Sequence, residues 1–379
     1  MNPLSVFTYY FRNKIKLAPV FAVLALAVFG ISLTGVLTGS IIDASIEKVE
    51  VYREAAQVSP SGQKGHTTLD AVTKAELRRD PNIYALYPDI RLSTYLPTLA
   101  GQTSTHIYAV DDLVYPILME RFNLELIAGR LPRSGAAELA LHDVVIKGRD
   151  LELGDVLDPK NDSQEFLAGK LEVVGILRGP TVISLASLDY IARRSEFRNY
   201  ARSLLAFPQP QGQAALENSL RALDQQIVRV FTYSAEMERY SRDWASLDAI
   251  VWAINSVVVV VLSLLVGLLN MIYFLDRMNE FGLLLGIGYP RAFVIRRALV
   301  ESLALTLVAW VFGLVISQLI YSMLNAAYFE PRGMLLSALN WRTIQFTLPI
   351  PIIVGIFAAS TVIWQLRKFD PITIIERRD

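Results

Sequence analysis

Four long stretches without a charged residue constrain the fold of this 379-residue chain more than any other feature. They span residues 17–42, 249–275, 302–329 and 343–366, or 26, 27, 28 and 24 residues. A bilayer core about 30 Å thick needs roughly 20 residues of helix. The stretches therefore predict four transmembrane helices. The first is longer than the roughly 7–15 apolar residues of a signal peptide, so we predict that it is retained.

Basic residues beside these stretches predict the orientation. The flanks 12–16, 277–297 and 367–378 hold eleven Lys and Arg, whereas the loop after Phe329 holds only Arg332 and Arg342. Lys and Arg favour the cytoplasmic side of a membrane. We therefore expect the chain to lie in the plasma membrane with both termini in the cytoplasm. Residues 43–247 are then outside, with 23 Lys+Arg against 28 Asp+Glu, and their net −5 cancels a net +5 elsewhere.

The segment between the first two stretches has the pattern of an α+β domain. Residues 43–57 predict a helix that continues out of the membrane, and 107–110, 138–141 and 171–177 predict short strands. A strand at 203–207, a helix at 213–225, a strand at 227–232 and a helix from 234 onwards complete it. The predicted fold is an α-helical membrane protein with four transmembrane helices and an α+β extracytoplasmic domain inserted between helices 1 and 2.

These predictions divide the chain into nine regions. In order they are a cytoplasmic interfacial helix (1–16), transmembrane helix 1 (17–42), the extracytoplasmic domain (43–247), transmembrane helix 2 (248–275), a cytoplasmic loop (276–297), transmembrane helix 3 (298–329), an external loop (330–342), transmembrane helix 4 (343–366) and a cytoplasmic tail (367–379).

The cytoplasmic loop is the most informative segment, because it carries apolar residues and glycines where a polar loop is expected. Exposed apolar patches mark interaction sites. The loop either folds back onto the bilayer surface or docks into a cytoplasmic partner. The candidate docking residues are Glu280, Phe281, Gly282, Leu283, Leu284, Gly286 and Gly288.

Two smaller features concern helix packing. Gly35 and Gly39 lie four residues apart in the first stretch, a spacing that lets membrane helices approach closely. Glu301 lies about one turn inside predicted transmembrane helix 3, where a carboxylate needs a partner. Arg297, four residues earlier, lies on the same helix face. We predict an interfacial pair, and leave a role in coupling open. Pro349 and Pro351 predict a kink in the fourth helix.

Several kinds of chemistry have no residues to support them. The chain has no cysteine, no phosphate-binding G-x-x-x-x-G-K-[ST] loop and no hydrolase or zinc-protease motif. His66, His106 and His142 are too far apart in sequence to predict a metal site, and the zero net charge argues against nucleic-acid binding. We therefore predict no catalytic residues, no metal and no cofactor, and a protein that is not an enzyme.

With these features together, the chain resembles the permeases of the FtsX/MacB/LolC-type ABC transporter family. The loop is similar to that family's signature at residues 280–288. Two further similar motifs follow, Glu301-Ser302 at the start of the third helix and Asp370-Pro371-Ile372 in the C-terminal tail. The outer domain adds four similar motifs, namely Gly129-Arg130-Leu131-Pro132, Glu138-Leu139, Gly154-Asp155 and Val173-Val174-Gly175-Ile176.

The resemblance implies a permease without an ATPase domain of its own. ATP would be bound and hydrolysed by a separate cytoplasmic ABC ATPase subunit docked on the loop, and a second permease chain would complete a homo- or heterodimer. The outer domain would act on a substrate, or on an extracytoplasmic adaptor or hydrolase. An alternative is a mechanotransmitting membrane scaffold that regulates an outer hydrolase or signalling partner rather than moving cargo. A membrane enzyme with an unrecognised site is a third possibility.

Overall fold

The computed structural model describes residues 14–63, 68–98, 101–160, 165–197, 202–276, 278–333 and 341–368. The chain divides into two compact units, one helical and one built on a sheet. The helical unit comprises Met1–Gly39, Ser246–Leu324 and Leu336–Asp379, and the sheet unit comprises Ser40–Ala245 and Asn325–Leu335. The predicted interfacial helix (1–16) lies almost entirely outside the described residues, as do the tail from residue 369 onwards and 334–340 of the external loop.

The regular elements of the described residues are numbered in chain order. The helices are α1 (Lys14–Glu50), α2 (Ala71–Arg79), α3 (Tyr115–Arg121), α4 (Asp143–Arg149), α5 (Leu188–Arg193), α6 (Gln213–Arg221), α7 (Tyr233–Asp276), α8 (Met278–Gly286), α9 (Arg291–Leu324), α10 (Trp341–Thr347) and α11 (Pro349–Lys368). The strands are β1 (Ala56–Pro60), β2 (Ile83–Thr98), β3 (Gly101–Val110), β4 (Glu125–Gly129), β5 (Glu138–His142), β6 (Val156–Leu157), β7 (Leu171–Arg178), β8 (Ser184–Ser187), β9 (Ser203–Pro208) and β10 (Val228–Phe231).

Three helical stretches of the described chain are long and apolar enough to cross a membrane. They are Ala18–Arg53, Tyr233–Leu269 and Ala292–Arg332, and they contain most of the first three charge-free stretches. The fourth stretch is divided, because α10 ends at Thr347 and α11 begins at Pro349. Proline has no N–H to continue the ladder and fits the first turn of a new helix, which accounts for a division into two helices where the sequence predicted a kink. The chain is thus a membrane protein with an α+β domain, and the fourth crossing stays a prediction.

The first helix ends earlier than the sequence pattern indicated. We expected helix over 43–57, but α1 ends at Glu50, a 3-10 turn covers Val51–Arg53 and β1 begins at Ala56. β1 lies between β9 and β10 and pairs antiparallel with both. Pairing on both edges satisfies the backbone N–H and C=O groups of this buried segment, so tertiary pairing overrides the helical periodicity.

The sheet unit is built on one ten-stranded sheet within the described residues. The strand order is β10-β1-β9-β2-β3-β8-β5-β7-β4, and β6 pairs with β7. The predicted strand–helix–strand at its end is confirmed as β9-α6-β10, with β1 between the two strands. Together with β1-α2-β2 this gives a split β-α-β arrangement. β2 links two parts of the sheet, because Ile83–Asp89 pair with β9 and Ile90–Thr98 pair with β3.

The glycine motifs quoted for the outer domain converge around β7. Gly129 has a φ of +74°, and a Cβ there would lie 3.0 Å from the Cα of Gly175 and in collision with the Val174 carbonyl oxygen. The Arg130 backbone N–H donates to that same oxygen at 2.9 Å, and the Arg130 guanidinium binds both carboxylate oxygens of Glu138 at 2.6 Å. This bidentate hydrogen bond holds the pKa of Glu138 below its usual range. These residues are therefore a packing node that fixes a tight backbone crossing.

Each unit has its own apolar core. In the sheet unit, one cluster surrounds Leu92, Leu139 and Val173, and another surrounds Tyr108, Leu118 and Phe207. In the helical unit, α1, α7, α9, α10 and α11 contribute a cluster that includes Val28, Val266, Ala309 and Phe346.

Candidate functional site

The loop between α7 and α9 contains a short helix, α8, whose end is defined by a glycine. Gly288 has a φ of +99°, and its N–H donates to the Leu285 carbonyl at 3.0 Å. The next N–H, that of Tyr289, donates to the Leu284 carbonyl at 3.1 Å. These two bonds form a Schellman motif, which satisfies the last carbonyls of the helix. Pro290 then precedes the start of α9, so α8 and α9 are separate rigid helices joined by a defined turn.

This segment presents large apolar side chains to solvent. Leu283 is 66% exposed and Ile287 68% exposed, and the stacked rings of Tyr289 and Phe293, with centroids 5.0 Å apart, are more than a third exposed. Burying a leucine or isoleucine side chain completely is worth about 1.5–3 kcal/mol. Leu283 and Ile287 are four residues apart and therefore lie on one helix face, and the two aromatic rings follow them in the chain. We call these four exposed side chains the α8 surface. It has the character of an interaction site.

The predicted docking residues are all located by the structure, although not all their side chains are described. Glu280, Phe281, Gly282, Leu283, Leu284 and Gly286 lie on α8, and Gly288 forms its C-terminal turn. Glu280 is exposed, and Leu284 is partly buried. A Cβ built on Gly286 or on Gly288 meets no atom within 4 Å. The requirement for glycine at 288 therefore comes from the backbone conformation, and Gly286 has open space beside it.

The predicted interfacial pair is brought together on α9. Arg297 Nε lies 3.2 Å from Glu301 Oε1, and the two side chains are 12% and 4% exposed. Both charges are thus removed from water, and each needs the other there. The pair lies one to three turns after the start of α9 at Arg291.

The predicted helix-contact glycines differ in what the structure describes of them. A Cβ on Gly35 would lie 3.1 Å from Thr343 Cα and 3.2 Å from Phe346 Cδ2, so α1 approaches α10 closely at this point. Gly39 is buried. Three further glycines that the sequence pattern did not single out also mark close approaches. They are Gly267 against Phe357, Gly313 against Val28 and Gly355 against Leu303.

Polar side chains join the helices of this unit in pairs that the sequence did not indicate. Ser32 on α1 donates to Ser317 Oγ on α9 at 3.0 Å, and the Tyr321 hydroxyl is 3.0 Å from Ser32 Oγ. At the start of the apolar part of α7, Arg342 binds Asp248 at 2.6 Å. Asp248 directly precedes the second charge-free stretch, and Arg342 directly precedes the fourth. Their opposite charges at the ends of two stretches could have predicted this ion pair from the sequence.

Burial shifts the pKa values of two polar groups inside the sheet unit. Asp89 is fully buried and accepts from Gln57 Nε2 at 2.6 Å, and burial raises its pKa. Burial lowers the pKa of His106 to about 3, so this imidazole is neutral at physiological pH. Among the described residues no group of three His, Asp or Glu side chains is placed to hold a metal ion. His66 lies outside the described residues.

Comparisons with known proteins agree with the resemblance seen in the sequence. Residues 252–371 match the family model of the FtsX-like permease C-terminal domain. No curated protein matches the chain significantly in sequence.

Several solved structures align with part of the chain at low similarity. The periplasmic region of MacB from Actinobacillus actinomycetemcomitans is 12% identical, covers 50% of this chain and 94% of its own, and has a TM-score of 0.31. A domain of a permease protein from Porphyromonas gingivalis is 14% identical over 47% of this chain and 89% of its own, with a TM-score of 0.27. The extracellular domain of the ABC-type transporter YknZ from Gram-positive bacteria is 13% identical over 47% of this chain and 98% of its own, with a TM-score of 0.28.

The family match spans α8, the Schellman turn, the buried pair on α9 and the divided helix that follows. It therefore supports the resemblance inferred from the loop and helix pattern, and residues 252–371 are similar to the C-terminal domain of FtsX-like permeases.

Proposed function

We propose that the chain is the membrane subunit of an ABC transporter, and that it transmits ATP-driven motion of a separate cytoplasmic ATPase to its outer domain. In this proposal four helices cross the plasma membrane, both termini are cytoplasmic, and two permease chains form the working unit. ATP binds to and is hydrolysed on the partner subunit. The outer domain extracts or exports a substrate, alone or with an extracytoplasmic adaptor.

The family match over residues 252–371 carries this proposal, because it contains the exposed α8 surface. An apolar surface beside charged membrane-flanking residues needs a protein or a lipid to cover it. A cytoplasmic ATPase would cover the apolar surface. It would also supply the ATP-binding site, since the chain itself has no nucleotide-binding loop.

The helices leading from this surface are suited to carrying motion. α7 is a single helix of 44 residues, which at 1.5 Å per residue is about 66 Å long. It begins at Tyr233, directly after β10, and ends at Asp276, two residues before α8. Sharp kinks in helices arise mainly at proline or at π-bulges, and α7 contains no proline, so we expect a displacement at its cytoplasmic end to move the whole helix.

The experiment is co-purification of the full chain, in detergent and in lipid nanodiscs, with the ABC ATPase of the same cell. The test variant is Leu283→Gln with Ile287→Asn, which makes the α8 surface polar. The control is Leu113→Gln, at a leucine that is 80% exposed in the sheet unit. Removing two well-buried interface leucines or isoleucines weakens binding by at least tenfold.

We expect the native chain and the Leu113 control to retain the ATPase and to change its turnover, and the α8 variant to lose it. If the α8 variant binds the ATPase as well as the native chain does, the α8 surface is not the docking site. ATPase binding without any translocated cargo, together with retention of a soluble outer protein, would favour the scaffold alternative.

A further inference from the structure

The segment after the third apolar helix packs on a helix of the sheet unit. α9 ends at Leu324, and the chain continues as a π-helix, Asn325–Phe329, and a 3-10 turn, Glu330–Arg332. Although this segment follows α9 directly, Asn325–Leu335 belongs to the sheet unit. We call residues 325–333 the docking turn.

Two glycines allow the docking turn to touch α4 backbone to backbone. Gly333 has a φ of +69°, and a Cβ there would lie 2.7 Å from the Val144 carbonyl oxygen and 3.3 Å from Val144 Cα. On the other side, a Cβ on Gly148 would lie 3.3 Å from the Arg332 carbonyl oxygen and 3.0 Å from Leu96 Cδ1. At Gly333 a Cβ would be so close to a backbone atom that this atom must move, whereas at Gly148 the surrounding atoms must give way by a few tenths of an ångström, and a larger side chain overpacks both positions.

The docking turn is also braced internally. The Arg332 guanidinium carbon lies 3.9 Å from the centre of the Tyr328 ring, and Arg332 Nη1 donates to the Tyr328 carbonyl at 3.0 Å. The Gly333 N–H donates to the Glu330 carbonyl at 3.1 Å. A turn held in this way presents a fixed surface, so its contact with α4 needs little additional ordering.

We propose that the docking turn is a stable clasp on α4, through which the third apolar helix is attached to the sheet. The sheet unit is then connected to the apolar helices at three places. α1 and α7 enter it as continuous helices, and α9 reaches it through the docking turn. The role of the clasp in coupling rests on the proposed function, whereas its existence does not.

The first experiment is hydrogen–deuterium exchange on the full chain in nanodiscs. Gly333→Ala is the test variant, and Gly62→Ala is its matched control. Gly62 has a similar φ of +75°, but a Cβ there meets nothing within 4 Å. Gly148→Val perturbs the same contact from the α4 side.

We expect Gly333→Ala and Gly148→Val each to raise the exchange rates of both 325–333 and 143–149 at least tenfold, and Gly62→Ala to leave both unchanged. The clasp would be overturned if the exchange rates rose only in the substituted segment. It would also be overturned if Gly62→Ala raised the exchange rates of 325–333 and 143–149 equally.

A second measurement avoids variants that fail to fold. Because the native chain has no cysteine, Lys147→Cys with Glu330→Cys gives the only two thiols and keeps the Arg332 side chain that braces the docking turn. A short bis-thiosulfonate should join them within one chain, as detected in linked peptides by mass spectrometry, and the single-cysteine chains should show no such product. Absence of the intramolecular product in folded chains would also overturn the clasp.

The coupling role has its own readout. We expect Gly333→Ala to bind the ATPase as the native chain does, but to stimulate ATP turnover at least threefold less. Native-like stimulation by this variant would refute the coupling role, whereas failure of the native chain to bind any ATPase would refute the proposed function instead.

Discussion

The contact between α1 and α10 at Gly35 gives the sharpest test of helix packing. Gly35→Val adds three carbon atoms where even the first would lie 3.1 Å from Thr343 Cα and 3.2 Å from Phe346 Cδ2. Thr343 and Phe346 are themselves buried, so they have little room to move. Overpacking of this kind costs about 1–3 kcal/mol.

Gly30→Val is the matched control, because Gly30 lies on the same helix, is exposed and would carry a Cβ with no neighbouring atom within 4 Å. Both substitutions exchange glycine for the same β-branched residue in a helix, so the intrinsic propensity change is shared. The difference between the two free energies of unfolding therefore isolates the contact with α10.

The assay is equilibrium unfolding of the purified chain in mixed micelles, followed by tryptophan fluorescence. We expect Gly35→Val to be less stable than Gly30→Val by about 1–3 kcal/mol, and Phe346→Leu to recover part of this loss in the double variant, because neighbouring substitutions are not additive. A difference below about 0.5 kcal/mol, the usual effect of a surface substitution, would refute the close approach.

Three further predictions test the sheet unit, the buried pair and the orientation. Burial raises the pKa of Asp89 in the folded chain above its pKa in the unfolded chain. The folded state therefore loses stability as the pH rises from the unfolded-state pKa to the folded-state pKa. Asp89→Asn should raise the melting temperature at pH 7 and make it depend less on pH. Glu301→Leu should cost about 3–5 kcal/mol by leaving Arg297 unpaired, and the double variant Arg297→Leu with Glu301→Leu should cost less in the same unfolding assay. Single cysteines at Leu113 and Ile287 should react with an impermeant maleimide from outside and from inside the cell, respectively, and the reverse pattern would contradict the orientation.

The apolar helices were predictable because their signal is local. A charge-free stretch of more than 20 residues needs no knowledge of the rest of the chain to be assigned to a membrane. The break before Pro349 is equally local, since it follows from the missing N–H of proline. By contrast, the end of α1 depends on β1 pairing with β9 and β10, which lie roughly 150 residues away in the sequence.

The outer-domain motifs show what sequence order leaves undetermined. Gly129, Arg130, Glu138 and Gly175 were recognisable as a series of short patterns, but their contact at β7 was not. The positive φ at Gly129 and its approach to Gly175 explain why glycine occupies both positions. A family pattern can therefore record packing rather than chemistry, and these motifs do not locate a binding site.

The α8 residues and the docking turn differ in the same way. The α8 surface was indicated by apolar residues in a loop, a local signal, and the structure leaves that surface exposed. The docking turn reads as the end of an apolar stretch, because its contacts with Val144 and Gly148 lie roughly 180 residues earlier in the chain. Only the structure identifies its partner.

The three connections to the sheet unit are physically unequal, and this has a consequence for transmission. α1 and α7 each contain residues of both units, so an axial displacement of either helix is opposed by an unbroken backbone hydrogen-bond ladder. α9 instead ends at the boundary, and the next five residues form a π-helix, a form that occurs mainly as short functional irregularities. In the proposed clasp, what α9 delivers to the sheet passes through the docking turn and its close contacts at Gly333 and Gly148. Substitutions at Gly333 or Gly148 should change how much motion passes from α9 to the sheet unit, while α1 and α7 stay intact. The docking turn is therefore the place where coupling can be changed without changing the binding of the ATPase.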